Sequence, residues 1–445
     1  MRRLFNAAWF CKVIFVAVTA AAAGCGGSQG GGGAVTIEKS GVDPAISTAG
    51  QPIVIAVIAK EGGVPKAGVT VVFSVELGAG SLSAQTAVSG TDGSASVSWT
   101  IGLPPVKNTA VAVVQGADAG AVIAFETMAK VDKPFTPYWY ADVNKFMSDN
   151  GLSGSTEDLA FSNDGKKIYL GIPGGLLTVD ASGKVERVAL TGDKVENPLG
   201  IDFDTDGNLW IADSKGALRM MTAAGVVSTV LTNDGKGNNL KAPNFVMVGK
   251  DKKIYLSDTC LGKVLRYDPV LKTVTASVEV EHIAFGGPNG IAIDATGRKL
   301  YFSTENTAVM CGHLDVETST KNSALFVVDI TESSFGDPVV IKKDFAHFGD
   351  GMTFDAEGNL YVIFDNIDYG NFKLKDSTVW VMPAGTTQLS KFVTTTDRVL
   401  ANLEFGKGEF GETTVYFALL TIAVVLPEEA RGLNKIEVGM KGGNR

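Results

Sequence analysis

From residue 34 onward the chain is a succession of short apolar runs rich in Val, Ile and aromatic residues, each closed by Gly, Asp, Asn, Ser or Pro. Some alternate apolar and polar positions, which puts one face of a strand on a core and the other in water. Others are continuously apolar, as in strands covered on both faces. The pattern predicts an all-β chain with two differently organised parts.

In residues 34–130 the runs Pro52–Ile58, Val69–Val75, Ser94–Ile101 and Thr109–Val114 stand between turn-forming residues. This spacing predicts a β-sandwich of about a hundred residues. The region has no Cys and no His, and few carboxylates near one another, so it offers no catalytic set.

Residues 151–445 repeat one phrase: a polar residue, an apolar run, an Asp/Gly turn, then a strand with an aromatic. The copies open at Glu157-Asp158-Leu159, Leu199-Gly200-Ile201, Asn244-Phe245-Val246, Asn289-Gly290-Ile291, Asp350-Gly351-Met352 and Asn402-Leu403-Glu404. Their aromatic markers Tyr169, Trp210, Tyr255, Tyr301, Tyr361 and Tyr416 lie 41, 45, 46, 60 and 55 residues apart. That period holds four short strands, the content of a propeller blade. A six-bladed β-propeller is expected, with an insertion near Met310 to Phe335 and residues 131–150 as linker.

In five copies the turn position follows the opening residue by eight: Gly165, Gly207, Lys252, Gly297 and Gly358. The opening residues Glu157, Leu199, Asn244, Asn289 and Asp350 are therefore equivalent, each at the start of an innermost strand beside the central channel. The sixth copy, at Asn402, is one residue out of step. Two carboxylates and two amides converging on the axis make an oxygen-donor set for a hard divalent cation. Ca²⁺ suits it best, with Mg²⁺, Mn²⁺ or Zn²⁺ as alternatives. The competing reading is local: Asn289-Gly290 and Asp350-Gly351 are also turn-forming dipeptides.

Composition narrows the chemistry. The 445 residues carry 39 Lys and Arg against 48 Asp and Glu, a net charge of −9. With no basic block past the N-terminus, nucleic acid is not an expected partner. Three His and four Cys cannot build a His-rich or Cys-x-x-Cys metal site. His347 lies three residues before Asp350, either as a proton shuttle or as a packing residue.

The N-terminus reads as an address. Arg2, Arg3 and Lys12 precede an apolar stretch, Val13 to Ala23, too short to span a bilayer. The end of that stretch, Ala22-Ala23-Gly24-Cys25, resembles a bacterial lipoprotein lipobox, with residues 1–24 as signal peptide and Cys25 as the lipidated residue. Ala22 stands where Leu is usual, and an ordinary secretory signal is the alternative. Residues 25–33, Gly-rich, would serve as tether to a membrane, placing the protein in the bacterial cell envelope. Phe417 to Leu426 is a ten-residue apolar run expected as a buried strand. Of the remaining cysteines, Cys260 and Cys311 either pair in an oxidising compartment or stay as buried thiols.

Two resemblances add to this. Gly63 to Val75, Gly78 to Ser83, Thr91-Asp92-Gly93-Ser94-Ala95 and Trp99 to Gly102 resemble bacterial Ig-like domains of the intimin/invasin type. That implies a stalk or an adhesive module with a cell-envelope partner. Residues Pro288 to Asp294, Asp350 to Tyr361 and Asn434 to Gly442 resemble the senescence marker protein/gluconolactonase superfamily, which includes strictosidine synthase-like proteins and paraoxonases. The resemblance implies a divalent cation held by Glu157, Asn244, Asn289 and Asp350. It also implies hydrolysis of a lactone or other ester, with Asp350 as catalytic base or nucleophile. Ala242 stands where sugar-lactonase members have a substrate-gripping Arg, and Asn197-Pro198-Leu199-Gly200 is closer to the strictosidine synthase-like branch. The alternatives are a non-enzymatic surface propeller that binds a ligand or partner around a structural metal, and a propeller without metal.

Overall fold

The structure, a computed structural model, describes residues 34–77, 80–102, 107–116, 122–130, 138–368, 373–420, 432–438 and 440–443. The expected signal peptide, Cys25, the Gly-rich tether and the second half of the 417–426 run lie outside the described residues.

Residues 34–130 form two five-stranded sheets. One holds Val35–Lys39, Pro52–Glu61 and Ser94–Thr100; the other holds Thr70–Leu77, Lys107–Val114 and Ile123–Lys130. The alternation in the sequence becomes alternation in burial. In Ser94–Thr100, Ala95, Val97 and Trp99 point inward while Ser94 and Ser96 face water. Ile55, Val57 and Trp99 of the first sheet share one core with Val71, Phe73, Ala112 and Phe125 of the second.

From residue 138 the chain forms sheets of four, four, five, four and eight strands; the fifth strand of the third sheet is the short parallel Thr191–Gly192, and the eight-stranded sheet is two meanders joined at Glu305 and Phe348, so six antiparallel meanders can be traced. Their inner strands are Leu159–Phe161, Pro198–Phe203, Pro243–Val248, Gly287–Ile293, Phe348–Phe354 and Val399–Phe405. Each inner strand touches the next, and the sixth touches the first, so the meanders close into a propeller. The five turn positions counted from the sequence all have positive φ: 65° at Gly165, 84° at Gly207, 61° at Lys252, 70° at Gly297 and 86° at Gly358. Apolar residues on successive meanders fill the spaces between sheets. Leu256 and Leu265 of the third, for example, pack with Trp210 and Leu218 of the second, each buried side chain contributing about 1.5–3 kcal/mol.

Two expectations are corrected. Residues 138–149, expected as linker, belong to the propeller: Tyr138–Ala141 pairs with Leu433–Glu437 as the outer strand of the sixth meander, and the helix Val143–Asp149 follows. The N-terminal end of the ring thereby supplies the strand its C-terminal end lacks. The insertion occupies 306–323 rather than 310–335, because Ala324–Asp329 is the buried third strand of the fourth meander. The Cys260–Cys311 disulfide fastens this insertion to the third meander, across a sequence separation of 51.

Side chains stitch adjacent inner strands. Asp158 Oδ2 accepts from the backbone N–H of Ile201 at 2.7 Å, and Asp158 Oδ1 accepts from the Asn402 amide. Asp202 Oδ2 accepts from the N–H of Val248 at 2.8 Å. The Ser257 hydroxyl donates to the Asn289 carbonyl at 2.7 Å and the Ser303 hydroxyl to the Asp350 carbonyl at 2.8 Å. The last two bonds fix the backbone at Asn289 and Asp350, two of the positions the repeat register selected.

Candidate functional site

Asn289-Gly290 and Asp350-Gly351 are not turns. Both lie inside inner strands, Gly287–Ile293 and Phe348–Phe354. Their glycines answer to crowding: a Cβ on Gly290 would come within 2.3 Å of the Asp350 carbonyl oxygen, and one on Gly200 within 2.5 Å of the Asn244 carbonyl oxygen. The missing Cβ lets neighbouring inner strands approach closely, and this brings the residues before the glycines toward one another.

The structure gathers all four selected residues around a fifth that the register argument did not pick out, Glu305. It ends the second strand of the fourth meander, Lys299–Glu305, and is 3% exposed. Asn244 Nδ2 donates to Glu305 Oε1 at 3.1 Å, and Thr259 Oγ1, which donates to the Pro288 carbonyl at 2.8 Å, lies 3.3 Å from the same oxygen. The Asn289 side chain lies close enough to Glu305 to favour its charged form. Asn289 Oδ1 is buried without a hydrogen-bond partner. Glu157 and Asp350 complete the group: the Glu157 charge acts on Glu305, and the Glu157 and Glu305 charges act on Asp350.

Burial dominates the electrostatics. Glu157 keeps part of its residue surface exposed, yet its carboxyl lies deep enough to be pushed up to about 7. Burial, and secondly the Glu157 charge, raise Glu305 to about 8 against the side chains of Thr259, Asn289 and Asn244, which favour its charged form. Asp350 stands well above the usual carboxylate range, first through burial and then through Glu157, Asp365 and Glu305. Asp365, at the Glu305-equivalent place in the fifth meander, is raised by burial to about 8, with Ser377 hydrogen-bonding in opposition. Four acids crowd one end of the ring, and each is hard to ionise without a compensating positive charge.

His347 is buried beside this group. Its backbone N–H donates to the Asp365 carbonyl at 3.2 Å, and its ring engages the Ser319 backbone and the Asn366 side chain. Burial lowers its pKa, so it sits as a neutral link between the insertion and the fifth meander. The other two histidines meet where the short helix His282–Phe285 touches the insertion: the His282 and His313 ring centroids are 4.2 Å apart, and His282 Nε2 is 2.9 Å from Asp315 Oδ2. Ala242 is buried. A recess lined by Met247, Ala292, Phe354 and Asp355 lies at the opposite, turn-bearing end of the inner strands.

Among the described residues no group of three or more His, Cys, Asp and Glu lies at metal-holding range. The gathered set instead mixes acids with amides.

A signal for Glu305 and Asp365 was present in the sequence. Thr259 follows Asn244 by 15 residues, Glu305 follows Asn289 by 16 and Asp365 follows Asp350 by 15. The count runs around the first hairpin of each meander and back to the channel end.

A family model described as SMP-30/Gluconolactonase/LRE-like region matches residues 172–369. The chain is 24% identical over 172 residues to the protein Strictosidine synthase-like 6 of Arabidopsis thaliana, covering 34% of this chain and 45% of that protein. It is 24% identical over 195 residues to a gluconolactonase of Zymomonas mobilis, covering 40% and 52% respectively. The chain thus spans about half the length of the curated relatives it matches. Among solved structures it is similar to a calcium-binding regucalcin of Agrobacterium tumefaciens, with a TM-score of 0.46, 17% identity, and coverage of 70% of this chain and 96% of that one. The matched stretch takes in Asn244, Asn289, Glu305 and Asp350 and begins after Glu157.

Proposed function

We propose that the protein is a divalent-cation-dependent hydrolase of lactones or other esters. In this reading the six meanders are the blades of a six-bladed propeller, the N-terminal sheets are an Ig-like stalk, and lipidation of Cys25 holds the protein in the cell envelope. The observation that carries the reading is the grouping of Glu157, Asn244, Asn289 and Asp350 at one end of the ring, with Asn289 Oδ1 buried and unpartnered. A buried amide oxygen without a donor is a group in want of a positive partner. Acids raised by burial and by each other want the same.

These four residues fit a hard cation in donor chemistry, and Ca²⁺ suits an all-oxygen set best. When bound, the cation would polarise the substrate carbonyl and stabilise negative charge on its oxygen. Asp350 is the base or nucleophile and Glu157 chiefly a ligand. The buried surroundings of Asp350 exclude bulk water, which strengthens every charge interaction there. The Zymomonas relative is named a gluconolactonase, and a lactone is the first substrate class to try.

The test is a screen of lactones and aryl esters with the full chain, run with Ca²⁺, Mg²⁺, Mn²⁺ or Zn²⁺ and with chelator. The expected result is cation-dependent turnover, lost by about 100-fold or more in Asp350→Asn. No turnover across the screen with any cation would overturn it. Ala242 favours a second reading, a ligand-binding surface propeller with a structural cation, because that position brings no cation of its own to grip a substrate. Calcium binding without turnover would select it.

A further inference from the structure

We infer that Glu305 is a positioning residue that turns the two asparagine amides so that their oxygens face the channel. The inference rests on the cation reading above and adds a residue that neither the repeat register nor the family's four-residue set includes.

An asparagine amide has two ends of nearly equal size and opposite hydrogen-bonding sense, and only its oxygen can bind a cation. Among the described residues no inner-strand group hydrogen-bonds to the side chain of Asn244 or Asn289 to decide which end points inward. Glu305 decides it. Its Oε1 accepts from Asn244 Nδ2 at 3.1 Å and lies 3.3 Å from Thr259 Oγ1, and the Asn289 side chain favours the charged form of the carboxylate, as only its NH₂ end can. A carboxylate oxygen offers lone pairs, so each amide turns its NH₂ toward Glu305 and its oxygen away. The unpartnered, buried Oδ1 of Asn289 is the consequence. One acceptor thus orients donors from two adjacent meanders, which explains a buried acid that is not itself at the start of an inner strand. Partners of this kind typically change metal affinity 10- to 100-fold when removed.

Glu305→Gln is close to isosteric but replaces one acceptor oxygen with an NH₂, which attracts an amide oxygen and rotates it off the axis. The experiment is calorimetric titration of the chelator-treated full chain with Ca²⁺, in wild type, Glu305→Gln and Glu305→Asp. The number of waters on bound Tb³⁺ is measured in parallel from luminescence lifetimes in H₂O and D₂O. Wild type is expected to bind Ca²⁺. Glu305→Gln should bind about 10- to 100-fold more weakly, with one or two more waters on Tb³⁺, and Glu305→Asp, which keeps the acceptor, should recover part of the affinity. The water count separates an orienting role from a general loosening of the fold. If Glu305→Gln does not fold, Thr259→Val, which removes the hydroxyl beside Oε1, should leave the water count unchanged while Glu305→Asp raises it. Glu305→Gln affinity and water count equal to those of a calcium-binding wild type would overturn this inference alone. A wild type with no calcium affinity would overturn the cation reading and this inference with it.

Discussion

Asn289 ends in an oxygen with no partner, and four carboxyls around it are held above their ordinary range. That combination sets the pH behaviour of the cation-free protein. Glu157 is raised from 4.5 to about 7, Glu305 from 4.5 to about 8 and Asp365 from 3.8 to about 8, with Asp350 raised as well. The folded state holds these protons longer than the unfolded chain does. Their contribution is therefore fully present below the unfolded values and drains away as pH climbs toward 8. Burial lowers His313 and His347, which acts in the opposite direction around pH 6, but two groups oppose four. The melting temperature of chelator-treated protein should fall between pH 5 and pH 8. Added Ca²⁺ should recover most of the loss at pH 8, because a bound cation favours the ionised carboxylates. Differential scanning calorimetry across that range checks this; a cation-free melting temperature that rises steadily with pH would contradict it.

At the scale of strands and turns, the sequence was legible wherever period and punctuation carried the information. Eight-residue spacing located five positive-φ positions, including the one occupied by lysine. Lys252 sits at φ 61°, which costs a non-glycine residue of order 1 kcal/mol. Lys252→Gly should raise the melting midpoint by about 2 °C; a drop would mean that the lysine side chain has a compensating contact. The competing turn reading fails at Asn289-Gly290 and Asp350-Gly351, because dipeptide rules treat glycine as a source of φ freedom. Here it is a source of space. Gly290→Ala would drive a Cβ to 2.3 Å from the Asp350 carbonyl oxygen and 3.0 Å from Gly351 Cα. Backbone cannot step aside as a flexible side chain can, so the expected cost is about 1–3 kcal/mol. Calcium affinity should fall with it, since Asn289 and Asp350 are pushed apart. Denaturant titration and calorimetric binding of the same variant test both; wild-type values in each would show that the strands can separate freely. Glu305 was hidden for a different reason. It ends the strand Lys299–Glu305 without a local signature, and only pairing across the hairpin brings it to the channel.

The closure of the whole molecule was the least legible feature, because it joins segments from opposite ends of the propeller's sequence. Nothing in Tyr138-Trp139-Tyr140-Ala141 marks it as the partner of Leu433–Glu437, and a boundary at residue 151 looked natural because the repeating phrase begins just after it. The physical consequence of that boundary is severe. A fragment of residues 151–445 loses the pairing strand and the buried Ala141, Val143 and Met147, which pack with Leu159, Ile168 and Tyr416. Burial of the Val and Met side chains alone is worth about 4 kcal/mol, and the strand Leu433–Glu437 becomes an open sheet edge, a template for association. The first and sixth meanders are where the ring is shut, so the damage falls beside Glu157 and Asp158, the latter bonded to both the second and the sixth inner strands. Fragments 131–445 and 151–445 should therefore differ sharply: the longer one folded and monomeric, the shorter one melting about 10 °C lower or aggregating, with weakened calcium binding. Thermal unfolding with sedimentation velocity on the pair decides the matter. Equal melting temperatures and equal monomer content would show that the ring closes through the first and sixth inner strands alone, without the outer strand from the N-terminal side.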